Sequence, residues 1–212
     1  MKASLIKLKQ AVAPAKLMVV TKGRSADEVF KAVQAGAEYL GENRVQEVLA
    51  KYSPQLMKEL ALAGVEIHFI GKLQANKVKA LLPYVHTIHS VDSLKLAQKI
   101  DREADALGRV IPIYLEINAT GESQKSGFPP EELRAALETI CKLKWLSVSG
   151  LMCMGKKDDL DASKKAFQWC RTLANENGLE GCSMGMSADY PIALTQGSTM
   201  VRIGRKIFED GY

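Results

Sequence analysis

Two hydrophobic patterns alternate along the chain. Short apolar runs, rich in β-branched residues, predict buried strands, and longer segments with apolar residues every three or four positions predict amphipathic helices. Helices are predicted at 25–35, 75–82, 93–107, 130–143 and 161–175, after a short amphipathic helix at the start of the chain. Strands are predicted at 16–22, 38–43, 66–71, 86–91, 111–118, 146–152, 181–187 and 200–204.

The ends of the helices carry recognisable signals. Ser25 with Glu28 three residues later forms the pattern of a capping box. Glycines follow several apolar-periodic stretches, where a left-handed helix end is expected; they are Gly36, Gly64, Gly108 and Gly178. These signals support the boundaries between predicted helices and strands.

Eight strands that each lead into a helix, in little over 200 residues, favour one closed parallel barrel. We therefore predict a single-domain α/β fold, a (β/α)₈ barrel of the TIM type, over residues 1–212. The alternative is an open flavodoxin-type sheet, which would leave two or three of the predicted strands unassigned.

Composition narrows the class of protein. The 212 residues are 47% apolar and 25% charged, as in an ordinary globular domain. No apolar run approaches the roughly 20 residues of a membrane span, and lysines interrupt the first 16 residues, where a secretion signal would need an apolar core. We expect a cytoplasmic protein that does not enter membranes.

The cysteines and the charge exclude two further classes of site. The four cysteines lie far apart, without a C-x-x-C pair or a neighbouring histidine, so we expect them to be reduced, mostly buried and free of metal. The net charge of +5 is spread along the chain and the few aromatic residues are scattered. Nucleic-acid binding needs basic and aromatic residues together on one surface, so we expect no nucleic-acid partner.

Functional groups of such a barrel gather at the carboxyl ends of its strands. Lys22 ends the first apolar run, Leu17 to Thr21, and would therefore face the barrel mouth. A lysine at a strand end often only reaches for water. The functional alternative is a Schiff-base lysine, whose neutral amine attacks an aldehyde.

The last two predicted strands end in residues that suit an anion. Barrels of this kind often hold a phosphate in the loops after strands seven and eight. Gly185 and Gly204 allow close approach of the backbone, and Ser187 offers a hydroxyl. The alternative is that both glycines only make tight turns. A phosphate site beside a lysine on the first strand would suit a phosphorylated aldehyde.

Several motifs resemble one known family. Ser183-Met-Gly-Met-Ser-Ala-Asp-Tyr and Gly197-Ser-Thr-Met-Val-Arg-Ile-Gly resemble the YggS/PROSC family of pyridoxal-phosphate homeostasis proteins, and the match covers nearly the whole chain. Further matching motifs are Val20-Thr-Lys-Gly, Gly41-Glu-Asn-Arg-Val-Gln-Glu, His68-Phe-Ile-Gly-Lys-Leu-Gln-Ala-Asn-Lys, Lys125-Ser-Gly and Gly150-Leu-Met.

The resemblance implies a barrel like the N-terminal domain of alanine racemase, with pyridoxal 5′-phosphate (PLP) held covalently on Lys22. It also implies that Arg202 faces the pyridine nitrogen and that Ser187, with the backbone of Gly204 and Arg205, takes the phosphate. Three further residues are carried over as neighbours of the ring: Asn43, Lys125 and Met154. For His68 we favour a satisfied core histidine.

The function implied is PLP storage, buffering or delivery in the cell, without robust catalysis. PLP is the expected ligand, PLP-requiring apoenzymes are transient partners, and a monomer is expected. Alanine racemases take their second base from an added domain, and this sequence ends at Tyr212 without one. The alternative is a PLP-dependent amino-acid racemase or related enzyme of weak activity. No metal site is expected, because the strand ends carry no cluster of acidic or histidine ligands.

Overall fold

A computed structural model describes residues 1–119 and 126–208 of the chain. Eight strands form a closed barrel in which each pairs in parallel with its neighbours in sequence and β8 closes onto β1. The predicted barrel is thus confirmed and the open sheet is wrong. The strands are β1 Lys16–Val20, β2 Tyr39–Glu42, β3 Glu66–Phe69, β4 Thr87–Val91, β5 Ile111–Glu116, β6 Leu146–Met152, β7 Gly181–Met186 and β8 Met200–Ile203.

Helices cover the outside of the barrel. All five internal helices that were predicted are present, and α3, α4 and α9 lie where no bounds had been given. The helices are α1 Lys2–Val12, α2 Ala26–Gln34, α3 Val45–Lys51, α4 Pro54–Leu62, α5 Val78–Leu81, α6 Leu94–Leu107, α7 Leu133–Ile140, α8 Leu160–Glu176, α9 Tyr190–Thr195 and α10 Arg205–Phe208. One-turn 3₁₀ helices at Ala75–Lys77 and Pro130–Glu132 lead into α5 and α7.

Local signals in the sequence fix the helix ends. The Ser25 hydroxyl accepts a hydrogen bond from the Glu28 backbone N–H, and the Glu28 carboxylate accepts one from the Ser25 N–H. This reciprocal pair is the predicted capping box. Gly108 ends α6 with φ +62°, a conformation that strongly favours glycine.

Six of the eight predicted strands extend one or two residues beyond the observed carboxyl ends. The first three, for example, end at Val20, Glu42 and Phe69 instead of positions 22, 43 and 71. The Thr21 N–H still bonds the Gly41 carbonyl at 2.9 Å, but a turn follows at once, with the Arg24 N–H bonding the Thr21 carbonyl. Lys22 therefore lies in the loop after the first strand rather than within it.

Each strand has an apolar outer face and an inner face of mixed character. In β5, Ile113 and Leu115 point outward into a core shared with the helices, whereas Tyr114 points inward. The inward direction is clear because a Cβ added at Gly181, two strands away, would lie 2.8 Å from the Tyr114 ring. Alternate residues of a strand face opposite sides, so Glu116 also faces inward.

The cysteines are free, and three of the four, Cys153, Cys170 and Cys182, are buried, as predicted. Among the helices of the described residues, none has the length and apolar character needed to cross a bilayer.

Candidate functional site

Lys22 stands exposed at the rim of the barrel, in the loop that follows β1. β8 is the neighbour of β1, and Met18 pairs with Arg202 across the two strands. A Cβ added at Gly204, just after β8, would lie only 2.9 Å from the Val20 carbonyl oxygen. The lysine and the end of β8 therefore lie side by side at the mouth.

Arg202 is buried inside the barrel, with 5% of its surface exposed. One terminal nitrogen donates to the Ser183 carbonyl at 2.6 Å and to the Ser183 hydroxyl at 2.8 Å, and the other donates to the Cys153 carbonyl at 3.1 Å. Burial lowers the pKa of this guanidinium, which nonetheless stays charged at neutral pH. These contacts hold a cation in place at the base of the mouth.

The loop between β7 and α9 is tightly packed. Gly185 has φ +90°, and a Cβ there would lie 2.6 Å from the Ala193 Cβ. The Asp189 carboxylate accepts the Met186 N–H at 2.6 Å and fixes the turn that carries Ser187. Gly185 is the second-last residue of β7, and its φ and its close approach to Ala193 require glycine there whatever the loop binds.

Donors for an anion remain at this corner of the mouth. In the part of the chain that the structure describes, neither the Ser187 hydroxyl nor the N–H groups of Gly204 and Arg205 have a hydrogen-bond partner. Ser187 and Gly204 are half-buried and Arg205 is exposed. The arrangement is one that a phosphate group fits.

Of the other three residues predicted for the site, two lie at the mouth end of the barrel and the third is not described by the structure. Asn43 lies half-buried directly after β2, and its backbone packs against Gly71 so closely that a Cβ there would overlap it. Met154 is 43% exposed, two residues after β6. Both lie at the mouth end of the barrel. Lys125 lies outside the described residues.

A column of polar rings fills the lower interior, and only His68 in it had been singled out from the sequence. His68 bonds Glu66 at 3.0 Å through Nε2 and His89 at 2.8 Å through Nδ1, and the His89 ring stacks on Tyr114 with centroids 4.2 Å apart. Burial, with the charges of His68 and Arg202, lowers the pKa of His89 well below its ordinary value. His68 is thus the satisfied core histidine favoured from the sequence.

Glu116 is a second interior group that the sequence analysis missed. It is 5% exposed at the carboxyl end of β5. Burial and the nearby charge of Asp92 raise its pKa to about 7, although Arg202 and Lys72 oppose the change. The predicted strand extended to position 118, so Glu116 did not lie at its predicted carboxyl end, where functional groups were expected.

A buried ion pair supports the loop that carries Lys22. The Lys51 ammonium lies 2.7 Å from Glu42 Oε1, with the two side chains 7% and 0% exposed. The same oxygen accepts from the Thr21 hydroxyl at 2.7 Å and from the Tyr52 phenol at 2.8 Å. The family motifs contain Thr21 and Glu42, but no sequence pattern indicated this cluster, because its members meet only when β1, β2 and α3 pack together.

No group of three His, Cys, Asp or Glu side chains suited to a metal ion occurs within residues 1–119 and 126–208. The groups gathered at the mouth include a lysine, an arginine, hydrogen-bond donors and the Glu116 carboxyl.

Comparisons with known proteins identify the family of the chain. Residues 1–210 match the family described as alanine racemase, N-terminal domain. A pyridoxal phosphate homeostasis protein of Deinococcus radiodurans is 38% identical over 94% of this chain and 91% of its own length. One of Pseudomonas aeruginosa is 37% identical over 91% of this chain and 83% of its own length.

Solved structures give the same result. PipY of Synechococcus elongatus with PLP bound superposes with a TM-score of 0.87 at 33% identity, covering 98% of this chain and 99% of PipY. Alanine racemase of Clostridium difficile 630 superposes at 0.73 with 21% identity, covering 97% of this chain and 55% of the enzyme, which shows a shared fold. The chain therefore belongs to the family of pyridoxal phosphate homeostasis proteins, which matches the alanine racemase N-terminal domain.

Proposed function

We propose that this protein binds PLP at the barrel mouth, attached through a Schiff base to Lys22, and takes part in PLP homeostasis. The observation that carries the proposal is the adjacency, at the ends of β1 and β8, of an exposed lysine, a buried arginine and unpartnered anion donors. PLP presents an aldehyde, a ring nitrogen and a phosphate, and each of these groups has a partner of matching chemistry here.

Lys22 supplies the amine for attachment. Its neutral form attacks the aldehyde carbon, a C=N bond replaces the C=O bond, and the aldehyde oxygen leaves as water. Ser187, with the N–H groups of Gly204 and Arg205, holds the phosphate, while Asn43 and Met154 lie beside the ring. Lys125 keeps the role beside the ring that the family resemblance gave it.

Arg202 faces the ring nitrogen in this proposal. When bound, PLP supplies an electron-withdrawing ring that stabilises negative charge on an attached substrate carbon. A buried guanidinium donates a hydrogen bond to the ring nitrogen and disfavours its protonation, so the ring withdraws electrons less strongly. Cys153 and Ser183 fix that guanidinium through their carbonyl oxygens. This favours a protein that holds the cofactor over one that turns it over.

Storage, buffering or delivery of PLP is consistent with the relatives, which carry the name pyridoxal phosphate homeostasis protein. We place this activity in the cytoplasm, where thiols such as the four free cysteines stay reduced. The proposed recipients are PLP-requiring apoenzymes that bind transiently, and the proposed state is a monomer.

Weak amino-acid racemase activity is a second candidate, and Glu116 is the observation that favours it. A racemase needs a proton-transferring group on each side of the substrate carbon. β5 lies opposite β1 in an eight-stranded barrel, so Glu116 faces the mouth from the side away from Lys22. A carboxyl with a pKa of about 7 suits proton transfer near neutral pH. Solvent-hydrogen exchange at Cα of alanine, compared between wild type and Glu116→Gln, tests this candidate.

The site assignment is tested by borohydride reduction of the protein loaded with PLP, followed by peptide mass mapping. We expect the phosphopyridoxyl adduct on Lys22 and its loss in Lys22→Ala. Lys72→Ala is the matched control, since Lys72 is also exposed just beyond a strand end. Equal labelling of Lys22→Ala and wild type would contradict the assignment.

The phosphate contact is tested separately with Ser187→Ala. Loss of one hydrogen bond to a charged group is worth about 1.5–3 kcal/mol, so we expect weaker retention of PLP. Pyridoxal, which lacks the phosphate, is the control ligand and should bind both proteins equally. A matched loss for both ligands would show that Ser187 does not contact the phosphate.

A further inference from the structure

Helix α3 contacts the backbone on both sides of Lys22. The Lys51 ammonium donates to the Thr21 carbonyl at 2.7 Å, and the Gly23 N–H donates to Glu47 Oε2 at 2.8 Å. Glu47 and Lys51 are four residues apart and so lie on one face of the helix. Two side chains from a single helix thus hold the residue before Lys22 and the residue after it.

The contact between Lys51 and Thr21 belongs to a buried cluster of charged and polar groups. Glu42, fully buried, pairs with Lys51 and also accepts hydrogen bonds from the Thr21 hydroxyl and from the Tyr52 phenol. Burial and the Glu42 charge raise the pKa of Tyr52, so its phenol stays protonated and remains a donor. Hydrogen bonds that involve a charged group are shorter and stronger than neutral ones, which makes this a firm attachment.

The contact at Gly23 holds an exposed glycine of the turn that follows β1. Gly23 has φ +70°, and a Cβ added there would meet nothing within 4 Å. The side of Gly23 where a side chain would stand is therefore open. The Glu47 carboxylate, which also lies 3.5 Å from Arg44, ties this part of the loop to α3, in addition to the turn hydrogen bond from the Arg24 N–H to the Thr21 carbonyl.

Stability alone gives a poor account of the buried pair. Apolar residues of similar size often replace a buried ion pair with no loss of stability, because removing two charges from water is costly. What apolar residues cannot do is donate a hydrogen bond to the carbonyl of Thr21. The buried pair is therefore better explained by a need to hold the backbone next to Lys22 in one place.

We propose that Glu47 and Lys51 form a two-point clamp that positions Lys22 for its attack on the aldehyde of PLP. This inference rests on the proposed function, in which Lys22 is the attachment residue. Lys22 has a long, flexible side chain, so the location of its backbone decides which orientations of the amine reach the aldehyde. Glu42, Tyr52 and Thr21 act as positioning residues through Lys51.

The clamp is tested by the rate at which PLP attaches to the purified protein, followed by absorbance. Glu47→Ala removes one contact, and the double variant Glu42→Gln/Lys51→Met removes the other without leaving an unpaired buried charge. Because misplacement by about 1 Å costs up to about 100-fold in rate, we expect about tenfold slower attachment in the first and up to about 100-fold in the second. Glu59→Ala, on the neighbouring helix α4, is the matched control and should attach PLP at the wild-type rate.

A second readout separates position from amine reactivity. Competitive labelling with acetic anhydride, quantified at Lys22 by peptide mass mapping, measures how readily the amine reacts with a small reagent that needs no orientation. We expect equal labelling of Lys22 in the wild type and in every variant. Slower attachment of PLP with unchanged labelling would therefore support positioning.

Two results would overturn the clamp: an attachment rate equal to wild type in the altered proteins, or labelling that falls in parallel with attachment. If the double variant does not fold, Glu47→Ala decides the matter by itself. A wild-type protein that takes up no PLP at Lys22 would refute the proposed function and the clamp together, whereas normal uptake by both wild type and variants would refute the clamp alone.

Discussion

The two faces of the barrel wall differ sharply in chemistry. The outer face, against the helices, consists of fully buried aliphatic side chains such as Val19, Ile67 and Leu115. The inner face carries an unusual number of polar and aromatic groups. They are Tyr39, Glu66, His68, His89, Tyr114, Glu116, Ser183 and Arg202.

The outward side chains stabilise the fold, whereas the inward side chains supply the polar groups of the site. Apolar burial on the outer face is non-directional, and many combinations of similar volume would serve. The inner groups depend on hydrogen bonds at 2.6–3.0 Å, for example between His68 and His89 or between Arg202 and Ser183. Substitutions on the outer face should therefore lower the free energy of unfolding by the same amount at every pH. Substitutions of titratable groups inside the barrel should change how that free energy depends on pH.

Phe167→Ala should give the largest loss of stability. Phe167 is fully buried between α8 and the barrel wall, and truncation of a buried phenylalanine costs about 3–5 kcal/mol. Phe30→Ala on α2 is the matched control, since Phe30 is 37% exposed. Urea unfolding at several pH values measures both. A loss that varies with pH would contradict the assignment of the outer face to packing alone.

Glu116→Gln should have a smaller effect that depends on pH. The carboxyl keeps its proton in the folded protein up to a pKa of about 7, whereas the unfolded chain loses it near 4.5. Its contribution to the free energy of unfolding is therefore present at pH 4 and is lost as pH rises towards 7. At pH 8 the variant should exceed the wild type by on the order of 3 kcal/mol, since one pKa unit is worth about 1.4 kcal/mol.

The measurement for Glu116 is the free energy of unfolding of the protein without PLP between pH 4 and pH 8. Glu131→Gln, at an exposed position, is the matched control. A difference between Glu116→Gln and wild type that stays constant across this range would show that the carboxyl does not change its protonation on unfolding.

His89→Gln should change the dependence of stability on pH in the opposite direction. The folded protein resists protonation of the buried His89, whereas the unfolded chain takes up that proton below about pH 6.5. The wild type should therefore lose stability as pH falls below 6.5, and the variant should lose less. The comparison is made in the Glu116→Gln background, which removes the opposing slope. Equal slopes with and without His89 would exclude it as the responsible group.

Much of the fold could be predicted from the sequence because its signals are local. The eight apolar runs, the capping box at Ser25 and the glycine at the end of α6 each depend on a few consecutive residues. The alternation of strand and helix then restricts the topology, since parallel strands need a crossover between them. Errors lay at the ends of strands and helices, by one to three residues, and in α3, α4 and α9, for which no bounds were predicted.

The candidate site was only partly predictable. Lys22, Ser187 and the glycines stood out because each lies at the end of an apolar run, and the family resemblance added the role of Arg202. Glu116 was missed, because its neighbours in space come from other strands: Asp92 follows β4 and Arg202 lies in β8. A pKa of about 7 arises from burial and from those charges together, which no stretch of sequence records.

The sequence by itself determined the order and kind of the elements, because hydrophobic periodicity and capping act over a few residues of chain. Only the tertiary structure decided which side chains share the barrel interior and which contacts surround Lys22. Closure of β8 onto β1 brings Arg202 and Gly204 to the lysine, and packing of α3 places Glu47 and Lys51 on either side of it. These groups are far apart in the sequence, and the buried contacts among them, such as that between Lys51 and Glu42, are strengthened by the exclusion of water from the finished barrel.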